Sequence, residues 1–399
     1  MSNGRAYFHP LFVFFIGCMF FYILPMFYLG YFDFVYWVVL ISAVISFSVG
    51  YYASNVMTPY IEREPRQIVN CALPYVGVIA VSYVVWAIIT YQPINSYAEL
   101  FQNKSQGAIY SQIFLKLRSM IVILLASYYA SRSIKHYFII SLCFIVVHSM
   151  SPTRFHLIET VIYWSAFGVY FKYIKISFFV ALAALLLSPI LFSVLLLKRG
   201  MVSESGGFFT AFYDLLSNTN ISQLLELSIT SMETFVTFET FTLIIEKNFV
   251  HPESGVLRVF FLFIPRTIWE DKPEAISRIV ANEFFSGAYM NGGGMVAGIF
   301  GDAYINGGIL GIILIWFCLG YICKFIYANT IKRCEFVENR YYKAYCICLY
   351  LTFLSWFIMA LRGFMSDFLW IGMFYFLVLL SLNKLLSQKI TIRRRKLQY

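Results

Sequence analysis

An all-α polytopic membrane protein of about ten transmembrane helices, within a range of about nine to twelve, is the fold class this sequence predicts. Three observations carry the prediction. Of 399 residues, 60% are hydrophobic and 13% are charged, about half the charge with which a soluble domain covers its surface, and the mean hydropathy is +0.73. Apolar runs of spanning length recur along most of the chain. Lys and Arg fall between those runs and gather in alternate connections.

A spanning helix takes about 20 mostly apolar residues. In chain order the runs are Leu11–Gly30, Phe34–Ala53, Pro74–Tyr91, Ile113–Ser131, Tyr137–Met150, His156–Phe171 and Ile176–Leu197. Gly307–Tyr327, Ala344–Ala360 and Phe368–Leu386 follow. The fifth and sixth are short and are joined by Ser151-Pro152-Thr153-Arg154. The chain therefore divides into residues 1–197 with about seven spans, a large loop over 198–306, about three spans over 307–386, and a basic tail over 387–399.

Orientation follows the Lys/Arg bias of short connections. With the N-terminus in the cytoplasm, that side holds Arg5, Arg63, Arg66, Arg132, Lys135, Lys172 and Lys175. It also holds Lys332, Arg333, Arg340, Lys343 and the tail from Lys384 to Lys396, which together make more than half of the 30 basic residues. Both termini are then cytoplasmic and the large loop lies outside. The net charge of +10 is this topological bias, not a nucleic-acid surface. The eight cysteines show neither a disulfide framework nor paired zinc spacing. Matching broken helices in two halves, which would mark a transporter, are absent from the sequence.

Within the outer loop, Ile221–Phe249 carries Glu226, Glu233, Glu239 and Glu246 among Leu, Ile and Phe, six or seven apart. That spacing predicts an amphipathic helix lying on the membrane. The segment Val256–Ile264 is apolar but too short to cross.

Arginine dominates the chemistry available outside. Arg154 sits between the fifth and sixth runs, Arg199 opens the large loop, and Arg258, Arg266, Lys272, Arg278 and Arg362 follow. A guanidinium matches phosphate bidentately and keeps its charge, so a set of them suits a pyrophosphate and would stabilise it as a leaving group. Arginines at helix ends also snorkel to the interface, and either use fits any single one. Pro265 and Pro273 bracket an elbow holding Arg266, Trp269, Glu270, Asp271 and Lys272, where the prolines forbid a continuous helix. Trp269 offers an interfacial or sugar-stacking face. The Gly-rich stretch from Gly292 to Gly311 lacks the lysine and preceding strand of a nucleotide loop. It places Asp302 at the mouth of a span, where an acid is costly unless paired or functional.

These motifs resemble those of the Wzy-type O-antigen polymerases, the oligosaccharide repeat unit polymerases. The resemblance rests on Pro265-Arg266 with Trp269 and Lys272-Pro273, on Gly301-Asp302-Ala303-Tyr304 with Asn306-Gly307, and on Arg362-Gly363. The family often has an acid directly after Arg-Gly; here Phe364-Met365-Ser366 precede Asp367. The resemblance implies a GT-C-like membrane glycosyltransferase of the bacterial inner membrane with a periplasmic active site. It would move a growing glycan from undecaprenyl pyrophosphate to the terminal sugar of an incoming undecaprenyl-pyrophosphate-linked repeat unit. It implies no cofactor and no metal; its partners are the lipid-linked donor and acceptor, membrane lipids and a chain-length-regulating co-polymerase. Implied catalytic residues are Asp302, Glu283 and Arg266. Implied pyrophosphate or glycan contacts are Arg154, Arg199, Arg266, Trp269, Lys272, Arg278, Tyr304, Asn306 and Arg362. The base that takes the acceptor proton is open among Asp302, Glu283, Glu239, His156 and His251. Two other functions compete: an O-antigen ligase delivering the glycan to lipid A core, and a flippase or transporter of lipid-linked oligosaccharide.

The orientation is testable by cysteine-accessibility labelling. Cysteines placed at Ser203 and Ser254 are expected to label from outside, and those at Asn329 and Gln388 only from inside; Ser254 and Asn329 on one side would refute the ten-span arrangement.

Overall fold

The computed structural model describes residues 5–54, 63–65, 67–90, 109–149, 154–181, 183, 233–252, 255, 264, 268–269, 271, 273–287, 294–335 and 337–389. The fold is that of a multi-pass helical membrane protein. Five helices are long and apolar enough to cross a bilayer: Pro10–Leu29, Phe34–Ala53, Val69–Trp86, Gly308–Lys332 and Arg340–Arg362. Shorter apolar helical stretches are Ser119–Ala130, Ile134–Ser149, Leu157–Tyr170 and Gly372–Leu386. Most of the predicted seventh run lies outside the described residues.

We label the helices α1 (Pro10–Leu29), α2 (Phe34–Ala53), α3 (Gln67–Thr90), α4 (Ile109–Ala130), α5 (Ile134–Ser149) and α6 (Arg154–Tyr170). Next come α7 (Glu233–Glu246), α8 (Ile276–Phe284), α9 (Gly298–Ile305), α10 (Gly308–Tyr327), α11 (Arg340–Arg362) and α12 (Met365–Leu386). Local chemistry sets several boundaries. Gly30, at φ 73°, closes α1 in the left-handed conformation that glycine adopts without strain. Asp33 caps α2 by accepting from Val35 N at 3.2 Å, and Asn339 caps α11 through Tyr341 N and Tyr342 N at 3.0 and 3.1 Å. Inside α1, residues Met19–Ile23 widen into a π turn just before Pro25. Proline cannot donate to the carbonyl four residues back and crowds it, so the turn opens.

The centre of the bundle is the pairing of α2 with α10. A Cβ on Gly50 would lie 2.0 Å from the Phe317 carbonyl oxygen, and one on Gly320 would lie 2.1 Å from that of Phe47. Two glycines facing the opposite backbone let the helices touch, the device by which membrane helices gain van der Waals contact without a hydrophobic drive. Trp316 packs beside this crossing against Phe14, Phe47 and Phe300, with ring centroids 5.0, 6.0 and 4.6 Å away.

One end of the bundle collects chain segments far apart in sequence. Arg5 pairs with Glu335 at 3.2 Å; Tyr51 and His9 share a hydrogen bond of 3.1 Å. Tyr170 and Tyr350 both donate to the Phe8 carbonyl. Tyr173 donates to Ser131 O at 2.9 Å and Arg340 to Arg132 O at 3.1 Å. Burial, with Lys324 and Lys332 nearby, holds the His9 imidazole below its ordinary pKa. The starts of α1, α5 and α11 and the ends of α2, α4, α6 and α10 thus share one end. The opposite end gathers Tyr22, Tyr36, α7, α9 and the end of α11.

Three features depart from expectation. Residues 63–65 and 387–389 form an antiparallel strand pair, the only one among the described residues, with Arg63 opposite Lys389 and Pro65 opposite Ser387. Of the predicted helix over 221–249, residues 221–232 lie outside the described residues and Glu233–Glu246 form α7, which is enclosed on more than one side: Thr237, Phe238, Thr240, Phe241, Thr242 and Ile244 are all buried, while Glu239 and Glu246 are exposed. It packs into the bundle against α1, α2 and α9, with its threonines buried beside its phenylalanines. Asp302 belongs not to the mouth of the long helix α10 but to α9, set off from α10 by a turn over Asn306–Gly307 and by Gly308 at φ 60°.

The α2–α10 contact can be tested with Gly320→Val. A side chain driven into backbone cannot be relieved by a rotamer change, so the loss should reach or exceed the about 1–3 kcal/mol of an overpacked core. Thermal unfolding in detergent should show a lower midpoint than for Gly287→Val, where a Cβ would meet nothing within 4 Å; equal midpoints would refute the contact.

Candidate functional site

The site is built around α9, eight residues long and buried throughout. An enclosed helix this short leaves half of its backbone donors and acceptors without partners inside the helix. At its start, Tyr22 donates from the π turn of α1 to Ala297 O at 3.1 Å and accepts from Phe300 N at 3.4 Å. Gly298 stands at φ 65°, and a Cβ there would lie 2.0 Å from the Tyr22 hydroxyl and 2.8 Å from the Leu361 carbonyl oxygen. Both the conformation and the space demand glycine. Thr237 approaches the same glycine, and its hydroxyl is buried with no hydrogen-bond partner among the described residues.

At its far end, α9 is closed by its own side chains and by the segment after α7. The Asn306 amide donates to the Asp302 carbonyl at 2.7 Å and to the Asp302 carboxylate at 2.9 Å. His251 N donates to Ile305 O at 2.8 Å. Tyr304 donates to Asn248 Oδ1 at 2.9 Å, and burial raises the phenol's pKa. A Cβ on Gly255 would strike the Asn306 side chain at 2.0 Å, so this loop presses on the cap. Asp302 itself has no exposed surface.

Of the residues singled out in the sequence, Asp302, Tyr304 and Asn306 come together on α9 and its cap. Arg362, half-buried, ends α11 and follows Leu361, whose carbonyl faces Gly298. Glu283 and Arg278 are exposed on α8, which is tied to the start of the α9 segment by Met295 N donating to Ser277 O at 3.0 Å. Trp269 is half-buried, Glu239 is exposed and His251 is half-buried against Phe249 at 4.6 Å. Arg154 and His156 lie in the first turn of α6. Arg199, Arg266 and Lys272 lie outside the described residues. Among the described residues no group of three or more His, Cys, Asp or Glu could hold a metal ion.

The sequence reading missed three polar positions. Tyr22 is one; its signal was Pro25 inside an apolar run. The second is Tyr36, which donates to Glu246 at 2.9 Å and ties α7 to α2. The third is His148 at the end of α5, bonded through Nδ1 to the Thr160 hydroxyl on α6. Comparison with protein-family models, curated proteins and solved structures gives no match for this chain.

Tyr22→Phe keeps the ring and removes both hydrogen bonds at the head of α9. Phe300 N then loses its acceptor and Ala297 O keeps only the 3.4 Å bond from Gly301 N, which in a buried site should cost about 1–3 kcal/mol, read as a lowered unfolding midpoint and faster proteolysis between α8 and α10. An unchanged midpoint and cleavage pattern would show that Tyr22 does not hold this helix.

Proposed function

We propose that this protein polymerises lipid-linked oligosaccharide repeat units, transferring the growing glycan from undecaprenyl pyrophosphate to the terminal sugar of an incoming lipid-linked unit. In this reading it is a GT-C-like glycosyltransferase of about ten spans in the bacterial inner membrane, with cytoplasmic termini and a periplasmic site. The observation that carries the proposal is the placing of the Asp302–Tyr304–Asn306 patch and Arg362 at one end of the bundle, where the Leu361 carbonyl packs on Gly298 at the head of α9. The start of α6, with Arg154, lies at that same end, because α6 finishes at the other. The sequence elbow ending at Pro273 immediately precedes α8, which Met295 N ties to the start of the α9 segment through Ser277 O.

The acceptor hydroxyl oxygen bonds to the anomeric carbon as the bond from that carbon to the pyrophosphate oxygen breaks. Arg362, with Arg154, Arg199, Arg266, Lys272 and Arg278, takes up the charge that develops on the leaving group. Trp269, Tyr304 and Asn306 serve glycan binding. The hydroxyl proton passes to a carboxylate. Glu283 is exposed and open to an incoming acceptor, whereas Asp302 is enclosed and fixes the cap of α9.

Deleting the gene and running surface polysaccharide on a gel separates the competing functions. Loss of a polymerase leaves core carrying one repeat unit, and loss of a ligase leaves core bare. In the complemented strain, Arg362→Lys should shorten or abolish polymer nearly as fully as Arg362→Ala at equal protein abundance. Loss of a bidentate charge-assisted contact costs about 2–4 kcal/mol, or roughly 30- to 1000-fold in rate. Full-length polymer from the lysine variant would leave Arg362 as a membrane anchor. Asp302→Asn, which keeps an acceptor for Asn306, should be tolerated under the capping role and inactive if Asp302 takes the proton.

A further inference from the structure

The end of the bundle opposite the proposed site carries a second charged feature. Four chain segments bring Arg5, Arg132, Lys172, Arg333, Arg340 and Lys343 into one neighbourhood. Arg5 donates to Tyr170 O at 3.4 Å, two residues before Lys172. Arg340 donates to Arg132 O at 3.1 Å. Lys343 lies within electrostatic reach of Arg5 and Lys172, with its ammonium 5.5 Å from the centre of the Phe171 ring. Arg333 and Lys343 both act on the buried Cys334 thiol between them. Two carboxylates lie in the same stretch, Glu335, paired with Arg5 at 3.2 Å, and the exposed Glu338. Among the described residues no salt bridge reaches Lys172, Arg340 or Lys343.

Topology accounts for basic residues on one side of a membrane, but it does not require the folded chain to crowd them from segments so far apart. Like charges held close repel unless an anion stands between them. The surroundings indicate what kind of anion. Directly beyond Arg132, the first turns of α5 present Ile134, Phe138 and Leu142, spaced four apart on one helical face and 45%, 54% and 63% exposed. Phosphate-binding groups at a helix end, above an apolar stripe running into the bundle's lipid-facing side, match a headgroup and its acyl chains. Clusters of this size next to spanning helices recognise anionic lipids.

We propose that the Arg132–Arg340–Lys172–Lys343 cluster and the Ile134–Phe138–Leu142 stripe form a binding site for an anionic phospholipid, its phosphates among the cations and its acyl chains along α5. The proposal is independent of the polymerase reading.

Native mass spectrometry of the full-length protein in detergent, with cardiolipin, phosphatidylglycerol or phosphatidylcholine added, tests it. Wild type should hold cardiolipin and phosphatidylglycerol through delipidating conditions that strip phosphatidylcholine. The triple variant Arg132→Gln, Lys172→Gln, Arg340→Gln should lose about tenfold in retained anionic lipid. A second variant, Phe138→Ser with Leu142→Ser, leaves every cation in place and should weaken retention as well, which guards against misfolding of the first. Millimolar inorganic pyrophosphate should leave the bound lipid in place. Equal retention of all three lipids by wild type, retention unchanged in both variants, or displacement by pyrophosphate would each overturn the proposal, the last by assigning the cations to a soluble anion.

Discussion

At the head of α9 one phenol serves both a buried backbone amide, Phe300 N, and a buried backbone carbonyl, Ala297 O, which also accepts from Gly301 N at 3.4 Å. Tyr22 reaches Ala297 O and Phe300 N at 3.1 and 3.4 Å, and the rest of this end of the bundle is arranged around that contact. An unsatisfied polar group in an apolar interior costs several kcal/mol, so an enclosed eight-residue helix exists only if its ends are met. The π turn before Pro25 aims the tyrosine, the lack of a side chain at Gly298 makes room for its hydroxyl, and Asn306 and the His251 amide close the other end. Without them the Asp302 patch would have no fixed address.

That end is held at a distance from the other by the α2–α10 pair. Gly50 and Gly320 remove the side chains that would separate these helices, and the Tyr51 ring then lies 4.6 Å from the Lys324 ammonium while Tyr36, at the opposite end of α2, holds α7 through Glu246. One close-packed pair therefore sets both the height of the proposed catalytic patch and the location of the basic cluster, and neither can shift without disturbing backbone contacts.

The apolar runs are legible from sequence because lipid imposes them: Phe34–Ala53 and the core of Gly308–Lys332 have one composition that works and one structure that satisfies their backbone. The grouping of Asp302, Tyr304 and Asn306 is likewise visible, since local spacing alone places them on one short helix. What sequence conceals is decided by partners far along the chain. Nothing near Tyr22 names Ala297, and nothing in the Glu spacing of α7 tells that its phenylalanines meet Tyr28, Tyr36 and Tyr22 rather than lipid. The break between α9 and α10 hides in a run of glycines that would serve a continuous span equally well. The strand pair is invisible because neither three-residue segment has a periodicity to show.

That strand pair carries a consequence for assembly. Residues 63–65 have their hydrogen-bonding partners at 387–389, so the connection after α2 stays open while every intervening helix is threaded into the membrane. Closing so long a loop carries an entropic cost and is slow, which makes the contact a late event in assembly. Three residues on each side thus fasten the segment after α2 to the segment after α12.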